Sequence, residues 1–364
     1  MADDRYLKFE NSPIDGISSM SSIYSVLSKA SSHTLSATLQ ENKEEVLITG
    51  CAGFIGLYVA QYLLAQGFKV VGIDNISDYY SRNLKKARLT ILKQFKDFEF
   101  YELDICHFER LKKIASKYTF KAIIHLAAQP GVRYSVINPF EYVRVNINGF
   151  LNILEIARHT KDLDRLVYAS SSSVYGNNKN LPFSTNDKTD SPISLYAATK
   201  KSDELMAYAY SHLYNINIIG LRFFTVYGPW GRPDMAIFKF TDSIFNRRAI
   251  EIYNYGNMKR DFTYISDVLH GILGALQVSF HGHRVYNLGN SDPVNVLDVV
   301  KILETAIGMP ADFKYLPIQQ GDAEETFADI QDSTRDLGFR PNTPLHVGIK
   351  TFVEWYREYH SLKK

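Results

Sequence analysis

The segment Glu45-Val46-Leu47-Ile48-Thr49-Gly50-Cys51-Ala52-Gly53-Phe54-Ile55-Gly56 decides the fold class. An apolar run leads straight into a glycine-rich loop, and a helical pattern from Tyr58 to Gln66 follows. Strand, loop and helix in that order aim backbone N–H groups and the positive end of a helix at a pyrophosphate, while the missing side chains let the phosphates approach. Gly50, Gly53, Phe54, Ile55 and Gly56 are therefore candidate cofactor contacts. After Gly67 a second apolar run, Lys69 to Ile73, ends in Asp74-Asn75. A carboxylate roughly 20 residues beyond the loop binds both hydroxyls of an adenosine ribose and repels a 2′-phosphate, which selects NAD over NADP. A lone glycine pattern is a weak signal; strand, loop, helix, strand and acid together are a strong one.

Further strand–helix units follow. Phe98 to Leu103 reads as a strand ending at Asp104-Ile105, and Ala122 to Leu126 as one ending at Ala127-Ala128. Gly149 to Ala157 reads as a helix, Leu166 to Ala169 as a strand running into Ser170-Ser171-Ser172-Ser173, and Ile218 to Phe223 as the next strand. Buried parallel strands separated by helices predict an α/β protein with a Rossmann-type doubly wound sheet. Such sheets bind ligands at the carboxyl ends of their strands. Asp104, Ile105, Leu126, Ala127, Ala128, Ser171 and Thr225 all fall at or just beyond those ends, on the side of the glycine loop.

The grammar changes beyond Phe224. Tyr227-Gly228-Pro229-Trp230-Gly231-Arg232-Pro233 is a turn-rich connection, and the elements after it are shorter. They suggest a smaller lobe over the edge of the sheet. Residues 44–226 are expected to form the NAD-binding domain and 227–364 mainly the substrate lobe, with room for segments to return to the sheet. In the lobe Arg232, Lys239, Arg260 and Asp322 are candidates for holding an anion, since guanidinium forks pair well with phosphate or carboxylate. Asp261 is equally suited to be the salt-bridge partner of Arg260. Ile349, Phe352, Val353 and Tyr356 share a helical face, so Val347 to Tyr359 is expected to be a packing helix.

At 364 residues the chain can bury a large core. A net charge of +2 gives no nucleic-acid or membrane footprint. The longest apolar runs fall far short of the roughly 20 residues a membrane span needs. Met1-Ala2-Asp3-Asp4 lacks the basic start of a secretory signal, so a cytoplasmic protein is expected. Of the two cysteines, Cys51 lies inside the glycine loop, where a disulfide would obstruct a ligand; reduced thiols follow. No metal-ligand spacing is visible. Residues 1 to about 43 are Ser-rich without periodicity and are expected to be a disordered extension.

The catalytic candidate is Leu195-Tyr196-Ala197-Ala198-Thr199-Lys200. On a helix, positions i and i+4 share a face, so the Lys200 ammonium can lie near the Tyr196 oxygen and favour its use as a base. The same spacing occurs at Tyr175/Lys179, Tyr255/Lys259 and Tyr359/Lys363. What singles out Tyr196 is the serine run upstream and the nucleotide signature before it.

With these residues together the sequence resembles the extended short-chain dehydrogenase/reductase family and, within it, is most similar to the UDP-glucuronate 4-epimerases. The likeness spans about residues 44 to 360. It rests on Thr49 to Gly56, Asp74-Asn75 with Asp78-Tyr79-Tyr80, His125 to Ser135, Ser170 to Gly176, Tyr196 and Lys200, Leu221 to Met235, Arg260 to Ile265 and Gly321-Asp322. The stretches Gln129 to Ser135 and Thr225 to Met235 point to the narrower group.

The resemblance implies that Tyr196 is the catalytic base, that Lys200 orients it and holds the nicotinamide ribose, and that Ser171 bonds the reacting hydroxyl. Ser172 and Ser173 are close competitors for that last role. Arg133, Ser171, Ser172, Thr225, Arg232, Arg260 and Asp322 become the substrate contacts, and Cys51 replaces the usual small residue of the loop. The implied substrate is a UDP-sugar, oxidised at C4 and reduced again on the other face, with NAD recycled. Related dehydratases carry an Asp-Glu pair where this chain has Ser172-Ser173, and related decarboxylases a Glu at Ser173. A 4-keto uronate loses CO2 readily, so Ser171, Ser172 and Thr225 are suited to clamp its carboxylate, with Arg232 as charge partner. The family implies a homodimer and surface-polysaccharide supply. UDP-glucose or UDP-N-acetylglucosamine epimerisation stays open, as does a non-catalytic NAD-binding regulator, which would not need Tyr196, Lys200 and the serines.

Overall fold

A computed structural model describes residues 44–319, 321 and 323–362. The expected extension, residues 1–43, and the candidate Asp322 lie outside the described residues.

The first half alternates strands and helices: β1 (Glu45–Thr49), α1 (Phe54–Ala65), β2 (Lys69–Asp74), α2 (Arg82–Leu92), β3 (Phe98–Glu102), α3 (Phe108–Ala115), β4 (Phe120–His125), α4 (Phe150–His159), β5 (Arg165–Ser171), α5 (Leu195–Tyr214) and β6 (Ile218–Phe223). β6 is buried along its whole length. Strands covered on both faces need no polar alternation, which is why Val, Ile and Leu dominate them. α1 is buried on nearly every side, since the sheet lies on one face and a later helix on the other.

Together with β10 (His283–Leu288), these strands form one seven-stranded parallel sheet in the order β3-β2-β1-β4-β5-β6-β10. The order reverses between β1 and β4, and the crevice beyond the ends of those strands is where such sheets take ligands. The glycine loop opens there. β10 reaches this sheet only after the chain has built β7 (Thr225–Tyr227), β8 (Ile250–Ile252) and β9 (Lys259–Tyr264) of the other lobe.

That lobe holds two small sheets. β9 is central to one, pairing with β7, with β11 (Pro293–Asn295) and with β13 (Glu325–Thr326); β8 pairs with β12 (Phe313–Tyr315) in the other. The helix α6 (Ala236–Phe245) lies in the lobe, while α7 (Ile265–Gln277) packs on α1. After α8 (Val296–Ile307) and α9 (Gln331–Leu337), the C-terminal α10 (Leu345–Tyr359) buries Ile349, Phe352, Val353, Trp355 and Tyr356. Among the described residues, no helix is long and apolar enough to cross a membrane, and no His, Cys, Asp and Glu cluster could hold a metal.

Three local readings are corrected. The helix expected to begin at Gly149 is preceded by a π-helical stretch, Val143–Gly149, so helical backbone starts well before it. Thr225 does not end β6; it opens β7, in register with Phe262 of β9. Asp261 is fully buried and does not pair with Arg260. Its carboxylate accepts from the backbone of Asn290, Ser291 and Ala328 and from the Thr263 hydroxyl.

Candidate active site

The glycine loop is shaped by contacts that leave no room for side chains. Gly50 has φ +73°, and a Cβ there would lie 2.7 Å from the Ala127 nitrogen at the end of β4. At Gly56 a Cβ would lie 2.1 Å from the Gly50 carbonyl oxygen. Gly53 precedes Phe54 at the start of α1, so the free N–H groups of that helix open onto the loop. Asp74 spans the loop from β2: its Oδ2 accepts from Ala52 N at 3.1 Å and its Oδ1 from Ile76 N at 2.8 Å. Burial pushes its carboxyl above the usual range, against the pull of Lys85.

The neighbouring strand end supplies a second carboxylate. Asp104 accepts from Cys106 N at 2.9 Å, lies 3.0 Å from the Arg144 guanidinium and meets Asn75 Nδ2 at 3.5 Å. Burial raises the Asp104 carboxyl, but the Cys106 amide and Arg144 outweigh it and hold the group below its ordinary value. Ile105 is buried behind it, while Leu126, Ala127 and Ala128 leave β4 half-buried along the crevice. Ala127 N donates to Thr49 Oγ1 at 3.3 Å, which ties the end of β4 to that of β1. A glycine cradle, a helix start and a ribose-distance carboxylate fit a dinucleotide, with Gly50, Gly53, Phe54, Ile55, Gly56 and Asp74, and Asp104 and Ile105 beyond β3, on one side of the crevice and Leu126, Ala127 and Ala128 beyond β4 on the other.

Across the crevice stands α5. Ser194 caps it, its side chain accepting from Ala197 N at 3.1 Å, which sets Tyr196 in the first turn. Tyr196 is half-buried, edge-on to Tyr142 with ring centroids 6.1 Å apart. One turn on, Lys200 is buried and its Nζ donates to the Ala169 carbonyl at 3.0 Å and to Asp203 Oδ2 at 3.1 Å. The lysine thus joins α5 to the end of β5, next to the serine run. Ser171 closes that strand with its Oγ accepting from Ser173 N at 3.2 Å, and Ser172 and Ser173 open a short 3-10 turn. Ser170 points elsewhere, donating to Glu204 at 2.7 Å; Glu204 is in turn held bidentately by Arg222.

In the smaller lobe, Thr225, Gly228 and Arg232 line one cleft with Met235 and Phe262. Arg232 is held by Asp234, which also accepts from the Tyr79 hydroxyl at 3.2 Å. The Arg133 guanidinium lies over the Tyr253 ring, 4.5 Å from its centroid. Arg260 donates to the carbonyls of Lys259 at 2.8 Å and Glu324 at 3.1 Å. Thr225 and Arg232 are therefore brought together, whereas Arg133 and Arg260 are engaged elsewhere.

Sequence reasoning passed over two residues here. Asn146 sits in the π-helical stretch, where its side chain accepts from Gln129 N at 2.8 Å and donates to the Gln129 carbonyl and to Thr199 Oγ1 at 3.1 Å. It joins the end of β4 to the helix that carries Tyr196. The signal was an amide at a buried helical position, which costs free energy unless it is bonded. Asp203 is the second. Its spacing from Lys200 looks in sequence like one more surface pair.

A family model described as GDP-mannose 4,6 dehydratase matches residues 47–352. UDP-glucuronate 4-epimerase 4 of Arabidopsis thaliana is 46% identical over 340 residues, covering 89% of this chain and 78% of its own length. Protein CapI of Staphylococcus aureus is 47% identical over 333 residues, covering 87% of this chain and 99% of its own. Among solved structures, the UDP-glucuronic acid 4-epimerase of Bacillus cereus in complex with UDP-glucuronic acid and NAD superposes with a TM-score of 0.81 at 34% identity, covering 86% of this chain and 99% of that one.

Proposed function

The chain belongs to the extended short-chain dehydrogenase/reductase family, and on that premise we propose that it is an isomerase converting UDP-glucuronate to UDP-galacturonate. NAD is the cofactor; when bound, it takes hydride from C4 and returns it to the other face of the 4-keto sugar. Tyr196 removes the 4-hydroxyl proton and later returns it. Lys200 stands below it as the fixed cation, and Ser171 orients the reacting oxygen. Asp74 takes the adenosine ribose hydroxyls, and the Gly50–Gly56 loop takes the pyrophosphate. The smaller lobe anchors UDP so that the sugar can turn without leaving; Arg232 is its first cationic contact, Arg133 and Arg260 join it by leaving the Tyr253 ring and the Lys259 and Glu324 carbonyls, and Asp322 is a polar contact. Residues 44–226 carry the cofactor and 227–364 mainly the substrate.

The observation that carries the epimerase reading over its neighbours is the turn after Ser171. It opens with Ser172 and Ser173, where elimination or decarboxylation calls for a carboxyl group. Small hydroxyls there, together with that of Thr225, bond a C5 carboxylate and keep it out of the orientation that releases CO2.

Two further statements belong to the same reading. Phe140, Val143, Leu151, Leu205 and Tyr208 leave apolar surface exposed on the helical backbone before β5 and on α5, which supports a homodimer through those helices. A cytoplasmic site and a role in polysaccharide precursor supply suit a nucleotide-sugar substrate.

The test is to incubate the purified protein with UDP-glucuronate, with and without added NAD, and follow the anomeric protons by NMR. UDP-galacturonate is expected. Release of CO2 with UDP-xylose moves the assignment to a decarboxylase, and turnover of UDP-glucose or UDP-N-acetylglucosamine alone moves it to a neutral-sugar epimerase.

A further inference from the structure

Lys200 does not face the active site as a lone cation. Asp203, at i+3 on α5, accepts from its Nζ at 3.1 Å, and the two side chains are only 3% and 2% exposed. Water and salt screen a pair so deeply placed far less than a surface pair. The carboxylate is also incompletely bonded: Asp203 Oδ1 is buried with no hydrogen-bond partner. Purely structural buried carboxylates in this chain look different. Asp261 receives three backbone N–H groups and a hydroxyl, and the adjacent Glu204 receives Arg222 and Ser170.

We propose that Asp203 is a positioning residue for the epimerisation. It holds the Lys200 ammonium beneath Tyr196 and offsets part of its field, so that the pair, and not Lys200 alone, sets the pH dependence of turnover. The inference rests on the reading of Tyr196 as base. Lys200 has two anchors, the Ala169 carbonyl and Asp203, and only the second carries a charge that a proton can remove.

The charged and titratable surroundings leave Asp203 in that role. On its own helix lie Lys200, Lys201 and Glu204, and Glu204 is committed to Arg222 of β6. Tyr168 of β5 is kept protonated by burial. Burial holds His125 of β4 neutral, lowering it to about 3, and His283 of β10, lowering it to about 4. Burial pushes the Asp203 carboxyl the other way, up to about 7, against the pull of Lys200 and with a push from Glu204. Of the carboxylates and histidines named, Asp203 is the one that burial pushes towards neutral pH. Below that point it is protonated and Lys200 acts on the site with its full charge. Above it the pair is close to neutral.

The experiment is the pH profile of kcat/KM for UDP-glucuronate, with the NAD-loaded wild type beside Asp203→Asn and Asp203→Glu. Asn keeps a hydrogen-bond acceptor and removes the negative charge. Seven residues along a helix separate Asp203 from Tyr196, about 10 Å, and at that range one charge is worth about one pH unit. The acid limb is expected to move down by about that amount in Asp203→Asn and to stay near its wild-type place in Asp203→Glu. Asp203→Ser carries the same readout as Asn if the amide variant does not fold. Superimposed profiles with only a lower melting temperature overturn the proposal and leave a structural pair. Tyr196→Phe, measured alongside, separates the two levels: substantial turnover in that variant overturns the base assignment itself, whatever Asp203 does.

Discussion

Arg88 of α2 donates to the Trp230 carbonyl at 2.6 Å, and through that bond the glycine loop and the smaller lobe share one buried cation. The guanidinium is fully buried; it also reaches the Gly231 carbonyl at 3.2 Å and the Ala52 carbonyl of the glycine loop at 3.0 Å. Trp230 adopts φ +61°, an unusual conformation for a bulky residue, and it is held from the other side by Trp355 of α10. The turn so fixed leads directly into Arg232.

Replacing Arg88 with Met strands three carbonyls at once. A loss of about 3 kcal/mol is expected, together with a raised KM for the UDP-sugar because Arg232 loses its support. Urea unfolding and steady-state kinetics check the two parts. Unaltered stability would show that the hydrogen bonds are readily replaced by water.

Gly56→Ala places a methyl 2.1 Å from the Gly50 carbonyl, so the loop must open. The protein is expected to purify with little NAD and to lose activity by at least about tenfold. Gly67→Ala is the control. It meets nothing within 4 Å but has φ +90°, so it should cost about 1 kcal/mol and retain cofactor. The ultraviolet absorbance ratio of the purified proteins distinguishes them.

Thr225→Val keeps the shape of the cleft and removes its hydroxyl. If that hydroxyl helps hold the sugar carboxylate, the fraction of substrate diverted to CO2 and a pentose product rises about tenfold, in line with loss of one charge-assisted hydrogen bond of about 1.5 kcal/mol. An unchanged product ratio by NMR removes Thr225 from the clamp.

His125 and His283 are kept neutral by burial, lowered to about 3 and about 4. In the unfolded chain they take up protons near pH 6.5, so the stability they contribute is complete above that value and is lost as pH falls towards 4 and 3. At about pH 5 each should cost about 2 kcal/mol relative to neutral pH. Urea unfolding of His283→Gln, compared with wild type at both pH values, should show a shallower acid loss. Parallel losses would assign the effect to other groups.

Leu205 and Tyr208 are 60% and 63% exposed on successive turns of α5. Leu205→Glu is expected to convert the proposed dimer to a monomer in light scattering at micromolar concentration, with folding retained because the side chain is largely exposed. A dimer of unchanged stability places the interface elsewhere.

The glycine loop and its carboxylate were legible from the residues alone. Glu45 to Gly56 and Asp74 do their work through contiguous backbone, so strand, loop, helix and acid are readable wherever they occur. The Tyr196–Lys200 spacing is likewise a property of one helix. Tertiary structure alone decided what surrounds them. Arg88 sits in a run with Lys85 and Lys86 that reads as a solvated helix face, yet it is buried because a turn more than a hundred residues later lies across it. β10 enters the large sheet from beyond the smaller lobe as its edge strand, and nothing in the run of β6, which it covers, gave a hint of it. Asn146 is fixed by a π-helical stretch that no periodicity announces, and Asp203 changes from a surface acid to the partner of Lys200 only when β5 and β6 close over α5. In each case the deciding quantity is desolvation. A charged or polar group takes its meaning from what is packed against it, and that packing comes from parts of the chain far away in sequence.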